Sequence, residues 1–423
     1  MGLSMRFALI AIGGLISGAF ANYLIYSWAY FPRHISPWAP PPPPSQSTDD
    51  KATAVPPRRW TDRIPVFGWF GLRRESPLHG TGFWVRPLLV EIGCAAALPA
   101  LYWYYTQSGG LLPDFARVPA GIASFSPWAH WLFLVHAILF VLMVAATFID
   151  FDEQTIPDII TLPGTLIALV ISTLPWQTFL PSVVFWNNQV GITETTFNIP
   201  WPFAAKWTGA SGLWLALAIW ATWIFALTDR HLVLRHGPVR AIGYLIHGIR
   251  RRPETKPLLV LGAIGTVFIF AVWTWGIVAW AGLLSSLIGL AVGGGTVWAV
   301  RIVASAAMRQ EAMGFGDVTL MAMIGAFVGW QAAIAGFFLA PPAAILIVII
   351  QFIITRKPAV PFGPYLCTGT AIAVVFWDLV WNQILSQYAM LGALVVYILV
   401  GALVAMGALL MVWGAIKRAI FAR

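Results

Sequence analysis

Charge is scarce in this chain. Asp, Glu, Lys and Arg make up 10% of its 423 residues, against about 25% in an ordinary soluble domain. That excludes the usual water-exposed globular surface. Cysteine is scarcer still: Cys94 and Cys367 are the two present. They form no CxxC pair and sit in or beside apolar runs. This excludes a zinc site or a disulfide framework and leaves two small buried hydrophobes. No internal repeat is visible.

Apolar sequence is what the chain has. It is 59% hydrophobic and contains 23 Trp, 38 Gly and 30 Pro. Membrane helices tolerate Gly and Pro better than soluble helices do, and Trp favours the two membrane interfaces. Apolar runs of 18 or more residues recur from end to end, each able to cross roughly 30 Å of hydrocarbon. The fold class expected is all-α, a polytopic transmembrane helix bundle. About eleven spans are predicted, near 7–30, 87–105, 129–149, 159–175, 210–228, 257–280, 282–304, 318–337, 339–355, 365–383 and 390–416.

Alternating the loops sorts the basic residues. Every Lys and Arg except Arg6, Arg117 and Lys206 falls on one side. Basic loops stay in the cytoplasm, so the N-terminus is expected outside and the C-terminus inside. The net charge of +9 then reflects orientation rather than nucleic-acid binding. A cleaved signal peptide over residues 1–21, ending Ala19-Phe20-Ala21, is the competing reading. It would turn every basic loop outward. The segment with Pro40 to Pro44 reads as an extended linker running on to Arg59. Residues 176–208 read as an external loop without a motif. Residues 229–256, with Arg250-Arg251-Arg252, read as a basic loop facing lipid headgroups.

Carboxylates in or beside membrane spans are costly and are functional candidates by default. They are Glu91, the group Asp150, Asp152, Glu153 and Asp158, the pair Glu311 and Asp317, and Asp378 within the tenth span. Asp150 closes an apolar helix, where the helix dipole disfavours an anion, and such an acid suits proton transfer. Pro157 stops regular helix, and Asp158 is expected to cap the next one. Asp317 follows Met313-Gly314-Phe315-Gly316. Alternate glycines let the backbone turn tightly and approach a neighbour. The predicted topology puts Asp150 and Asp317 on the same cytoplasmic face. Two adjacent carboxylates share a proton, so one activates water and the other donates to a carbonyl oxygen.

These features resemble the type IV prepilin leader peptidases, membrane aspartyl proteases of the GxGD class. Gly14 to Tyr26 looks like the family's opening helix. Ser36-Pro37-Trp38, Ile64 to Trp69 and Arg86 to Glu91 follow in family order. Asp150 through Leu162-Pro163 is similar to the first active-site motif, Glu311 to Leu320 resembles the second, and Pro361-Phe362-Gly363-Pro364 matches a late one. The resemblance implies that Asp150 and Asp317 are the catalytic pair, with Pro157, Asp158, Gly314 and Gly316 in support. It implies prepilins or type II secretion pseudopilins, precursors with a short basic leader followed by an apolar helix, as substrates and partners, in a bacterial inner membrane among lipid.

Two departures stand out. The family's first cytoplasmic loop carries paired CxxC motifs that bind zinc, but this chain has no cysteine between residues 31 and 86, so no metal is expected. Methylation of the new N-terminus with S-adenosylmethionine is left open, with Asn22 and Glu91 at the linked positions. Proteolysis needs no cofactor. The aspartates are also farther apart than is usual, which divides the chain into a module over 1–105 and a peptidase domain over 106–423 with an insertion near 176–281. The added spans are even in number, so Asp317 keeps its side. The rival readings are an ion-coupled transporter using Asp150, Asp317 and Asp378, and an inactive assembly protein. Oligomeric state is not legible.

Overall fold

The computed structural model describes residues 2–39, 57–174, 179–186, 189–194, 207–228, 255–355, 361–389 and 391–421. The Pro40–Pro44 run, most of the external segment and nearly all of the basic loop 229–256 lie outside them.

The described chain is a helix bundle. Its long elements are α1 (Leu3–Ser27), α2 (Val85–Thr106), α3 (Pro119–Glu153), α4 (Asp158–Ile171), α5 (Ala210–Ala226), α6 (Thr255–Trp275), α7 (Ile277–Met308), α8 (Phe315–Thr355), α9 (Gly363–Val375) and α10 (Ala393–Phe421). A two-stranded antiparallel hairpin, β1 (Pro181–Trp186) and β2 (Gln189–Glu194), is added in the segment expected to be irregular.

Among the described residues, seven helices are long and apolar enough to cross a membrane. An eighth is counted if α9 and the following helical segment to Tyr388, bent by 78°, form one span. The eleven predicted spans are therefore corrected in three places. α4 and α5, with 14 and 17 residues, are shorter than a full crossing. The spans predicted over 318–337 and 339–355 are two helices as expected, but they meet at Gly329, with φ 82° and ψ 169°, rather than near residue 338. Hydropathy carries no mark of that break, because a glycine can leave the helical region without any change in polarity. Pro341 and Pro342 stay inside the helix, as membrane helices allow.

Close backbone contact sets the frame around α8. A β-carbon at Gly289 would lie 2.0 Å from the Gly325 carbonyl oxygen, and one at Gly325 2.1 Å from that of Gly289. Two glycines facing each other let α7 and α8 touch through their main chains. Ser286 donates to the Ala326 carbonyl beside this crossing (2.7 Å).

Polar bonds fix the N-terminal helices. Asn22 Nδ2 donates to the Pro87 carbonyl (2.9 Å) and to Glu91 (3.2 Å), joining α1 to α2. Glu91 also accepts from Trp69 Nε1 (2.8 Å) and Val66 N–H (2.5 Å). Val66 has φ 66° and is the centre of a γ-turn closed by Phe67 N–H on the Pro65 carbonyl (2.7 Å). A β-branched residue there is strained, and the strain aims its amide at Glu91.

Residues 57–84 form short helical turns held by ion pairs. The Arg58 guanidinium grips buried Glu75 with two bonds of 3.0 Å and donates to the carbonyls of His34, Ser36 and Ala39. Asp62 accepts from Arg59 N–H (2.6 Å) and pairs with Arg74.

Arg58→Ala should cost about 3–5 kcal/mol, since it strands a buried carboxylate. Loss of protease resistance in residues 57–84 measures it. Acid should open the same segment. Burial pushes the Asp62 carboxyl up, but Arg74 and the Arg59 amide outweigh it and hold it below the ordinary carboxylate value. A depressed acid contributes stability above its unfolded value, about 3.9, and loses it as pH falls through the folded value. Hydrogen exchange in residues 57–84 should therefore quicken below about pH 4, and Asp62→Asn should flatten that dependence.

Candidate active site

Asp150 lies in the last turn of α3. Gln154 ends that helix in the left-handed region (φ 55°), with its N–H on the Asp150 carbonyl (2.9 Å). Two neighbours of Asp150 anchor the turn. Asp152 is bridged by Arg33 and Arg86. Glu153 accepts the backbone N–H groups of Tyr30 (2.9 Å) and Phe31 (3.0 Å). Exposed pairs of this kind add little stability, so their effect is geometric.

The chain then turns back through Thr155-Ile156-Pro157 into α4. Pro157 takes the position before the helix, and Asp158 is its first residue. The expected Asp158 cap is thus corrected: Pro157 holds the cap position. Proline at the cap position displaces it by one residue. The Asp158 carboxylate instead accepts from the Thr319 hydroxyl of α8 at 3.5 Å.

Asp317 lies in the first turn of α8 rather than at its cap. The segment before it is tied to α7 by Arg301, which donates to the Met313 carbonyl (2.8 Å) and pairs with Glu311. Gly316 packs on Ile156: a β-carbon there would stand 2.9 Å from its carbonyl oxygen and 3.1 Å from its nitrogen. Gly314 differs. A β-carbon would meet Asp317 Oδ2 at 3.7 Å and Gly316 N at 3.9 Å, both ordinary contacts, and its φ is not positive. Of the two glycines read as needing close approach, Gly316 alone needs it.

These segments enclose one cleft of about 510 Å³, lined by Asp150, Asp158, Glu311, Asp317, Tyr30 and Ile156 among others. Asp150 and Asp317 are both buried, and the charge of Asp150 acts on Asp317. Sequence reasoning missed two parts. Tyr30 forms one wall, held there in part by a long-range bond to Glu153. Gly363 N–H, at the start of α9, donates to Asp150 Oδ2 (2.9 Å). The Pro361–Pro364 motif signalled the place but not this role.

Other sequence candidates lie apart. Asp378 begins a wide π-helical segment after α9, bonded to Asn382 (2.9 Å) and Gln383 (3.1 Å) and 3.6 Å from Arg117. It follows the 78° bend after α9 rather than lying inside a straight span. The 13 residues of α9 put about 20 Å between it and the cleft. That end carries the hairpin, through Trp377 Nε1 on the Pro181 carbonyl (2.5 Å) and Val183 N–H on Asn382 (3.2 Å). Cys94 and Cys367 are free and buried.

Fold and site together define a polytopic membrane protein with a paired-carboxylate cleft at the ends of its helices. Residues 253–355 match the type IV leader peptidase family. The chain is 31% identical over 102 residues to a prepilin leader peptidase/N-methyltransferase of Pseudomonas putida, covering 23% of this chain and 35% of that protein. It is 31% identical over 125 residues to that of Pseudomonas aeruginosa (29% and 40%) and 38% identical over 76 residues to that of Klebsiella pneumoniae (15% and 33%). The matched part thus spans well under half of these relatives. No solved structure matches. Over these stretches the chain is similar to the type IV leader peptidase family. The family match contains Gly314, Gly316 and Asp317, whereas Asp150 lies outside it and joins the site through the fold.

The two glycines should respond differently to a methyl group. Gly316→Ala and Gly363→Ala, whose added carbon would stand 2.6 Å from Asp150 Oδ2, should each lose about 1–3 kcal/mol to overpacking. Gly314→Ala should stay near wild type. Unfolding midpoints in detergent report the difference.

Proposed function

We propose that this protein is an aspartyl endopeptidase that removes the leader peptides of type IV prepilins or type II secretion pseudopilins at the cytoplasmic face of the inner membrane. One observation carries the reading: Asp150 and Asp317, on helices remote in sequence, line the same buried polar cleft. Two carboxylates in one site hold one proton between them. The ionised member takes a proton from water, and the resulting hydroxide attacks the scissile carbonyl. The protonated member donates to the carbonyl oxygen, and collapse of the adduct expels the amine, which takes up a proton. The titration belongs to the pair, so neither residue has a fixed role. The carboxylates of Asp158 and Glu311 make the cleft acidic, which favours a cationic leader.

Methylation is left out of this reading. Asn22 and Glu91 spend their donors and acceptors on each other, Pro87, Trp69 and Val66, though Asn22 Oδ1 is buried without a partner. That supports a joining role rather than a site for S-adenosylmethionine. The transporter reading loses its third acid, since Asp378 is bound at the far end of α9.

Coexpression with a pseudopilin tests the proposal. Asp150→Asn and Asp317→Asn should each reduce leader removal by about 100-fold or more. Normal processing by either variant would sink the peptidase reading. The mass of the mature N-terminus should show no added methyl group.

A further inference from the structure

A second cavity adjoins the cleft. It is an apolar groove of about 320 Å³ between α5, α7 and the first turns of α8. α5 packs mainly on α6 and α7 and stands off α8, which leaves the groove open. Phe315 lines both groove and cleft. Thr319, one turn on, lines the groove with its hydroxyl turned to Gly316 and to Asp158 in the cleft. The Thr222 hydroxyl is taken by the Ala218 carbonyl (2.8 Å). At Gly295 an added β-carbon would meet nothing within 4 Å. The groove is therefore apolar, its small residues Ala291, Gly294 and Gly295 set between Trp223 and Trp298, and it runs into an acidic cleft.

We propose that this groove seats the turns of the substrate's apolar helix nearest the cut, so that the polar segment flanking the helix falls between Asp150 and Asp317. The inference rests on the peptidase reading and goes beyond it by naming α5 as a specificity element. Small residues let a second helix approach closely. The continuity through Phe315 puts the flank of that helix at the carboxylates, and the cleft's acids suit a cationic flank. A larger groove of about 590 Å³ between α1, α3 and α4 shares no lining residue with the cleft.

Two measurements on the full-length protein test this. In the first, Gly295→Leu and Thr222→Trp fill the groove. Cleavage of a membrane-embedded precursor should fall at least tenfold, while cleavage of a short soluble peptide spanning the junction, without the apolar helix, stays unchanged. Equal loss on both substrates, or no loss on the precursor, overturns the proposal. In the second, a photoreactive benzoylphenylalanine is placed at Thr222 or at Ser17 of the larger groove, in the Asp317→Asn background. The precursor should be captured from position 222 and not from 17. Capture of lipid alone from 222, or of precursor from 17, also overturns it. If the unaltered protein cleaves neither substrate, the peptidase reading itself has failed, and the two failures are thereby told apart.

Discussion

Asp150 depends on a backbone donor. A carboxylate at the end of an apolar helix is costly unless its oxygens are satisfied, and Gly363 N–H supplies the bond. The donor opens α9, so it brings the positive end of a helix dipole against the negative end of α3. Much else follows from that contact. Residue 363 has no room for a side chain, because Asp150 and Ile156 occupy the space. Ile156 in turn presses its main chain on Gly316, next to Asp317. Ile156 thus stands between the two acids, its side chain against Gly363 beside Asp150 and its main chain against Gly316 beside Asp317.

The N-terminal half works as a brace for this arrangement. Asp152 and Glu153 fasten the last turn of α3 to Arg33, Arg86 and the chain after α1. Asn22 and Glu91 lock α1 to α2, and the γ-turn at Val66 joins the 57–84 segment to the same point. Where a metal would hold a loop by coordination, half-buried Arg58 does so by gathering one carboxylate and three carbonyls. Arginine suits that task because its planar fork is always charged and can meet several acceptors at once.

The sequence exposes what depends on polarity. Long apolar runs revealed the helix bundle, and the scarcity of acids made Asp150 and Asp317 conspicuous. Backbone geometry was harder to read. The break at Gly329 and the donor at Gly363 look like any other glycine, since an amide or a φ angle leaves no residue type behind. Asp158 was placed as a cap because its type favours that role, yet Pro157 took the position. Asn22 and Glu91 were read by family position, and their mutual hydrogen bond appears only when α1 and α2 are side by side.

The grip of Glu153 on Phe31 has an evolutionary side. The carboxylate holds the amide of that residue and ignores its ring, which is 76% exposed. Nearly any amino acid can therefore occupy position 31 without loosening the turn that carries Asp150. Proline is the exception, because it has no N–H to give. In a saturation library scored for folded protein, position 31 should drift freely with proline alone depleted. Depletion of other residues there would show that the ring itself is needed. A residue essential through its main chain in this way is hidden from any comparison of side chains.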